Sequence, residues 1–331
     1  MNTPLLDIRN LSTAFPIRRG VFSRTIGHVR AVNEVSLSIG HGETLGLVGE
    51  SGCGKTTLAR TLLLLEKAQA GTIQFDGIEL TTASKNTIRG LRRRMQVVFQ
   101  DPYESLNPRM TVMEIVTEGL LAHGRIRRRD MEETAANLLA ETGLGSEMLH
   151  RYPHEFSGGQ RQRISIARAI ALKPDLILCD EAVSALDVSI QSQILNLLMD
   201  LRERHGLSYL FISHDLSVVR HIADRVAVMY LGRIVETGTA EAIMEQPRHP
   251  YTRALIAAIP KAGGPRRDKP LRLPGDVPSP ANPPPGCPFH PRCPFAQDRC
   301  RRERPILAPC GNEPGEGTIR REVACLRKDE I

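Results

Sequence analysis

Three short stretches carry residue types whose spacing could do chemistry. The first, "GESGCGKT" from Gly49 to Thr56, fits the pattern G-x-x-x-x-G-K-[ST]. Gly49, Gly52 and Gly54 let backbone N–H groups wrap phosphate oxygens, Lys55 adds a mobile positive charge, and the Thr56 hydroxyl can ligate Mg²⁺. An apolar stretch precedes it and the helical pattern "TTLARTLLLLEK" follows, so a helix N-terminus would add its dipole to an anion site. A glycine-rich turn ahead of a core helix is the plain alternative; strand, loop and helix together argue against it.

The second stretch, "LILCDE", is four apolar residues ending in Asp180 and Glu181. A buried strand that delivers acids to the carboxyl edge of a sheet, beside a phosphate loop, can bring Asp180 to Mg²⁺ and Glu181 to an attacking water. Many strands end in acids, so the pair draws its meaning from the loop. The third, "FSGGQRQR" from Phe156 to Arg163, opens the pattern "RISIARAIAL" and presents Ser157 with the amides of Gly158 and Gly159 at a helix N-terminus. This second anion site has no lysine loop of its own, and it makes sense as a cap on the phosphates held by another copy.

Elements must exist to position these residues. Over the first 260 residues short apolar strands alternate with helical patterns, which predicts a parallel sheet with helices on its faces. "HVRAVNEVSLSIGHGE" and "GTIQFDGIEL" read as strands of an antiparallel meander, with turns at Gly40 to Gly42 and at Asp76-Gly77. From about Met110 to Ala171 strands give way to helical spacing, as in "MEETAANLLAETGL". Nine prolines between Pro260 and Pro285 then exclude helix and central strand, so an extended connector leads to a cysteine-bearing tail. No internal repeat is visible.

With 331 residues, 41% hydrophobic and 24% charged, the chain is of ordinary globular composition and long enough for a sizeable core. Its net charge of +7 invites a nucleic-acid reading, but arginine runs at 92–94 and 127–129 lack interleaved aromatics and the chain has no tryptophan, so no nucleic-acid partner is expected. "MNTPLLDIRNLSTAF" lacks the basic start and the unbroken apolar stretch expected of a secretory leader, and no window approaches the roughly 18 apolar residues of a membrane span. The chain is expected in the cytoplasm, with any membrane crossing left to another subunit.

Taken in order, and joined by "SALD" and "ISHD", the three stretches resemble the ATP-binding-cassette (ABC) ATPases over about Leu5 to Ala258. The resemblance implies an α/β fold with a P-loop NTPase core: a RecA-like parallel sheet, an antiparallel β-subdomain and a helical subdomain at about 110–171, within a nucleotide-binding domain of residues 1–259. It implies two ATPs held between two head-to-tail domains, whose closure and hydrolysis move membrane subunits. Gly49, Ser51, Gly52, Cys53, Gly54, Lys55, Thr56 and Thr57 would hold the phosphates and Mg²⁺ of one ATP. Ser157, Gly158, Gly159 and Gln160 would contact the γ-phosphate held by the partner.

Gln100, in "VVFQDPYESLNP", matches the glutamine that senses Mg²⁺ and the attacking water; on its own it would read as a polar residue at a strand end. Thr56, Gln100 and Asp180 form the implied Mg²⁺ set, Glu181 the general base, and His214 the histidine contacting the γ-phosphate. Asp187 would couple the two sites. Phe15 would stack on adenine, an ordinary core phenylalanine being the alternative. Cys53 and Cys179 read as small semi-buried side chains, although alkylation of Cys53 could block ATP sterically.

The tail narrows the resemblance. "EQPRHPYTRALIAAIP", "LPGDVPSPANPPPGCPFHPRCPFAQDRC" and "EVACL" look like the C-terminal extension of oligopeptide and dipeptide importer ATPases. That branch implies a peripheral subunit at the cytoplasmic face of the membrane. Its implied partners are a second and different ATPase, two membrane-spanning permeases and an extracytoplasmic solute-binding protein. Peptide uptake is the expected function; a nickel or other small-solute importer and a soluble ABC ATPase are the alternatives.

Residues 260–285 would be the connector and 286–331 the extension. Cys287, Cys293, Cys300 and Cys325 are spaced C-x5-C-x6-C-x24-C, with Cys310 left over. Disulfides are disfavoured in a reducing compartment, the C-x2-C pairs usual for zinc are missing, and four thiolates also suit a [4Fe–4S] cluster. From the residues alone a cluster, zinc and unligated thiols all stay open. Members of the importer branch hold such a cluster at these positions, so the resemblance implies [4Fe–4S], with zinc as the alternative.

Overall fold

The computed structural model describes residues 3–19, 24–259, 273–310 and 321–330. The connector expected at 260–285 lies outside the described residues over 260–272, as do 311–320 and 331 of the expected extension. The chain divides into two compact units, one of Met1–Ser38, Thr44–Thr81 and Ser213–Ile331, the other of Ile39–Glu43 and Thr82–Ile212.

In the first unit an antiparallel sheet has the strand order Arg24–Ile39, Leu6–Arg19, Ala70–Phe75, Ile78–Glu79. Leu6 pairs with Phe75 and Ile8 with Ile73, and all four side chains are buried, as period-two alternation requires of a sheet with one packed face. The hairpin turn at Asp76-Gly77 is as expected: both residues have positive φ, 49 and 75°, the two-residue geometry that matches strand twist.

The same unit holds a second set of strands in the order Ala308–Pro309, Glu322–Val323, Arg233–Thr239, Arg225–Tyr230, Thr44–Val48. Only the last pair is parallel, Leu45 lying opposite Arg225 and Val48 opposite Val228. The tail therefore adds two short strands to this sheet, with Glu236 opposite Val323.

The second unit has three parallel strands, Met95–Val98, Leu176–Asp180 and Ser208–Ser213, in that spatial order. Every residue of the latter two is buried, so they read as continuous apolar runs rather than alternating ones. Between Val98 and Leu176 no strand occurs, and the helices Val112–Ala122, Met131–Glu141 and Gly158–Ile170 fill the interval, as the loss of strand patterning predicts. A capping box starts the first of them, Thr111 and Glu114 each satisfying the other's backbone.

One buried charge fixes the tail. Glu236 has no exposure, and its carboxylate accepts from Arg321 Nη2 at 2.6 Å, Arg248 N at 2.9 Å and His249 N at 2.9 Å. An ionised carboxylate tolerates burial only when its oxygens are saturated in this way. Beside it His249 is buried, and burial pushes its pKa down to about 4 against the opposing influence of Glu236. Its Nδ1 accepts from Tyr251 N at 3.1 Å, a bond open only to the neutral ring.

Two outcomes follow for stability. Arg321→Ala removes the guanidinium that meets the buried Glu236 carboxylate and should cost about 3 kcal/mol in urea unfolding. His249 is neutral when folded and titrates near 6.5 when unfolded, so the unfolded chain binds the extra proton between pH 6.5 and 4, and stability falls as pH drops through that window. Between pH 7 and 5 the wild type should lose about 2 kcal/mol more than His249→Asn, which keeps a capping acceptor without the titration. Equal losses in the two proteins would refute the assignment.

Candidate functional site

In the first unit the strand Thr44–Val48 is buried along its whole length and delivers Gly49 to the loop; the helix Lys55–Leu62 leads away. Gly54, its N-cap, sits at φ 109°, and a Cβ there would lie 2.0 Å from the Ala31 carbonyl oxygen. No other residue type fits. Lys55 is buried, and its ammonium donates to the carbonyls of Gly49 at 2.7 Å and Glu50 at 3.2 Å. The loop thus folds around its own cation, which an anionic ligand would draw away from two neutral dipoles.

Ser51, Gly52 and Thr56 are exposed and Thr57 is half-buried. Cys53 is buried, with Sγ 3.9 Å from Lys55 Nζ; burial raises its pKa, and the lysine charge only partly opposes this. A neutral thiol of that kind packs rather than reacts. Cys179, wholly buried in its strand, is pushed up to about 12 for the same reason. Phe15 is 37% exposed and lines an open pocket with Thr13, Glu66, Lys67 and Gln69, so it is not a core phenylalanine. His214 is exposed just beyond the strand Ser208–Ser213.

The loop is held from outside by residues distant in sequence, to which the sequence assigned no part in the site. The Glu50 amide donates to Tyr251 Oη at 2.8 Å. Its carboxylate takes both arms of Arg292, Nη1 at 2.7 Å and Nη2 at 3.0 Å, a pairing that drives the arginine pKa further up. Gly232 N donates to the Cys53 carbonyl at 2.8 Å.

In the second unit Asp180 ends its strand 8% exposed, and Glu181 turns off it at φ 49°. A non-glycine residue in the left-handed region costs about 1 kcal/mol or more, and such turns persist only where neighbours enforce them. Here Glu181 N donates to the Ile212 carbonyl at 3.0 Å, and the Glu181 carbonyl accepts from Ser184 N and Oγ at 3.1 and 2.9 Å. Gln100 Nε2 donates to Glu181 Oε2 at 3.2 Å, so the structure brings these two expected site residues together.

Ser157 caps the helix Gly158–Ile170 in a reciprocal box: its Oγ accepts from Gln160 N at 3.3 Å, and Gln160 Oε1 accepts from Ser157 N at 3.0 Å. The hydroxyl proton of Ser157 stays available to an anion, since the cap uses a lone pair. Gly159 has a packing reason as well, because a Cβ would come 2.6 Å from Ile190 Cγ2. Asp187 begins the helix Val188–His205 without a side-chain capping bond.

Cys287, Cys293, Cys300 and Cys325 line one small and mostly apolar cavity with His290, Phe295 and Arg327; Cys310 is elsewhere. Burial and the neighbouring thiols raise Cys287 to about 12, and burial raises Cys293 and Cys325 as well. Among the described residues no group of three or more His, Cys, Asp or Glu side chains is drawn to the spacing of a metal site. The donor set suits a soft metal, and the four thiols share one cavity.

Residues 32–184 match the family model described as ABC transporter, and residues 235–300 match that of the oligopeptide/dipeptide transporter C-terminal region. The chain is 55% identical over 309 residues to a probable peptide ABC transporter ATP-binding protein, y4tS, of Sinorhizobium fredii, covering 93% of this chain and 88% of that one. It is 51% identical to the oligopeptide transport ATP-binding protein AppF of Bacillus subtilis, over 91% and 92% of the two chains. Among solved structures, the dimeric post-hydrolysis state of the ATP-binding cassette MJ0796, bound to ADP and Pi, aligns with a TM-score of 0.62 at 26% identity, over 71% of this chain and 98% of that one.

Proposed function

The chain belongs to the ABC transporter family, as an ATP-binding protein of its peptide-transporting branch, and on that premise we propose how its residues divide the work. It is the ATP-binding and hydrolysing subunit of an importer that energises uptake of dipeptides or oligopeptides across the cytoplasmic membrane. The peptide names of its relatives favour this over nickel import and over a soluble ATPase without membrane partners. No helix among the described residues is long and apolar enough to cross a membrane. Permease subunits and a substrate-binding protein complete such an importer. We place the chain peripherally at the cytoplasmic face, against two permeases and beside a second, different ATPase.

The observation that carries the nucleotide site is the Lys55 ammonium enclosed by the carbonyls of Gly49 and Glu50 at the start of a helix. Phosphate oxygens replace those carbonyls at Lys55 when ATP binds, while the residues from Gly49 to Thr57 supply backbone N–H groups and hydroxyls. Thr56, Asp180 and Gln100 would hold Mg²⁺, which neutralises phosphate charge when bound. Glu181 takes a proton from the attacking water, oriented by Gln100, and His214 contacts the γ-phosphate. Phe15 offers its exposed ring to adenine. Ser157, Gly158, Gly159 and Gln160 contact the ATP of the partner ATPase, and Asp187 couples the two sites.

We propose further that Cys287, Cys293, Cys300 and Cys325 hold a [4Fe–4S] cluster, zinc being the alternative that the same donors allow. The shared cavity supports this, as does the difficulty of building a core in a tail poor in aromatics. A metal staple there is structural in this reading.

Glu181→Gln should keep ATP binding and lower turnover in the assembled complex at least about a hundredfold, and near-normal ATPase activity would sink the assignment. Anaerobically purified protein should carry iron and acid-labile sulfide with a broad visible absorption. Stoichiometric zinc without iron would decide for the alternative.

A further inference from the structure

Glu50 is an acidic residue inside a loop whose proposed ligand is a polyanion. Left alone, its charge would repel a triphosphate bound by the same loop and lower the affinity. Arg292 answers that charge from 242 positions along the chain, with both Nη atoms on the two carboxylate oxygens. The pair is well shielded, the side chains being 7% and 28% exposed, so water screens it little. The fork also fixes the plane of the carboxylate, which a lysine could not do.

The arginine is itself held. Phe289, three residues earlier, is 1% exposed and packs edge-on to Tyr230 at 5.3 Å and against Tyr251 at 5.5 Å. Tyr251 in turn accepts from the Glu50 amide, so one cluster grips Glu50 at backbone and carboxylate together. The Glu50 carbonyl, with that of Gly49, receives Lys55. An unbroken series of contacts therefore runs from the cysteine-bearing segment to the lysine of the phosphate loop.

We propose that Arg292 is a positioning residue for the phosphate loop: it neutralises and orients Glu50, so that ATP affinity depends on the C-terminal extension. This rests on the reading of Gly49 to Thr56 as the ATP site.

MgATP is titrated calorimetrically onto the full chain for wild type, Lys55→Ala, Arg292→Gln, Arg292→Lys, Glu50→Gln and the double variant E50Q/R292Q, with melting temperatures recorded without nucleotide. Arg292→Gln should weaken binding about tenfold, and Arg292→Lys should fall between it and wild type. The double variant should recover to within about threefold of wild type, because no unneutralised carboxylate is left beside the loop. An affinity for Arg292→Gln within about twofold of wild type, a double variant as weak as Arg292→Gln, or a lowered melting temperature with unchanged affinity each overturns the proposal. Should Arg292→Gln not fold, Arg292→Lys and the double variant decide by the same criteria. Failure of wild type to bind MgATP, or undiminished binding by Lys55→Ala, overturns the reading of the loop and this proposal with it.

Discussion

A phosphate loop has no core of its own. Three of the eight residues from Gly49 to Thr56 are glycines, and the chain there must present backbone rather than side chains. Its shape is therefore imposed by what surrounds it. Ala31 forbids a side chain at Gly54, Gly232 binds the Cys53 carbonyl, and Tyr251 and Arg292 fix Glu50. Each clamp comes from a different part of the first unit, so the loop is as stable as the packing of that unit. Lys55, buried and folded onto the carbonyls of Gly49 and Glu50, adds a contact from within the loop itself.

The tail shares in this support. Glu236, saturated by Arg321 and two backbone amides, ties the last strand to Arg233–Thr239, and Phe289 inserts among Tyr230, Tyr251 and His249. Burial of a full carboxylate is tolerable only with every partner in place, which makes the docking of the tail specific as well as stable. The same docking sets Arg292 against the loop and gathers four thiols at one cavity. In the second unit a comparable economy holds at Glu181, where the left-handed turn that leaves the strand is enforced by Ile212 and Ser184 and its carboxylate is met by Gln100.

Much of this was legible in the residues. Buried parallel strands announce themselves as unbroken apolar runs, and "LILC" does so. The helical interval before Leu176 showed as lost strand patterning, and Asp76-Gly77 showed as a turn because few other pairs adopt positive φ twice. Phe15 was ambiguous, since a lone aromatic in a strand carries no sign of which face it occupies; its exposure decides against a core role. Arg292 and Tyr251 were illegible as partners of Glu50. They lie 242 and 201 positions away, and although their segments carry the family resemblance, nothing in either points to Glu50.

Local chemistry is written locally: glycine spacing, a lysine before a hydroxyl, a strand ending in acids and a serine three residues ahead of a glutamine each determine backbone shape or charge within a few residues. The sequence by itself therefore determined the phosphate loop, the acid-bearing strand, the capped helix and the family they belong to. Which distant side chains hold that loop, how the tail joins the sheet, and the small apolar cavity in which the four cysteines singled out by the resemblance meet were decided only by tertiary structure. Such contacts depend on pairings across tens to hundreds of residues, and no periodicity encodes them.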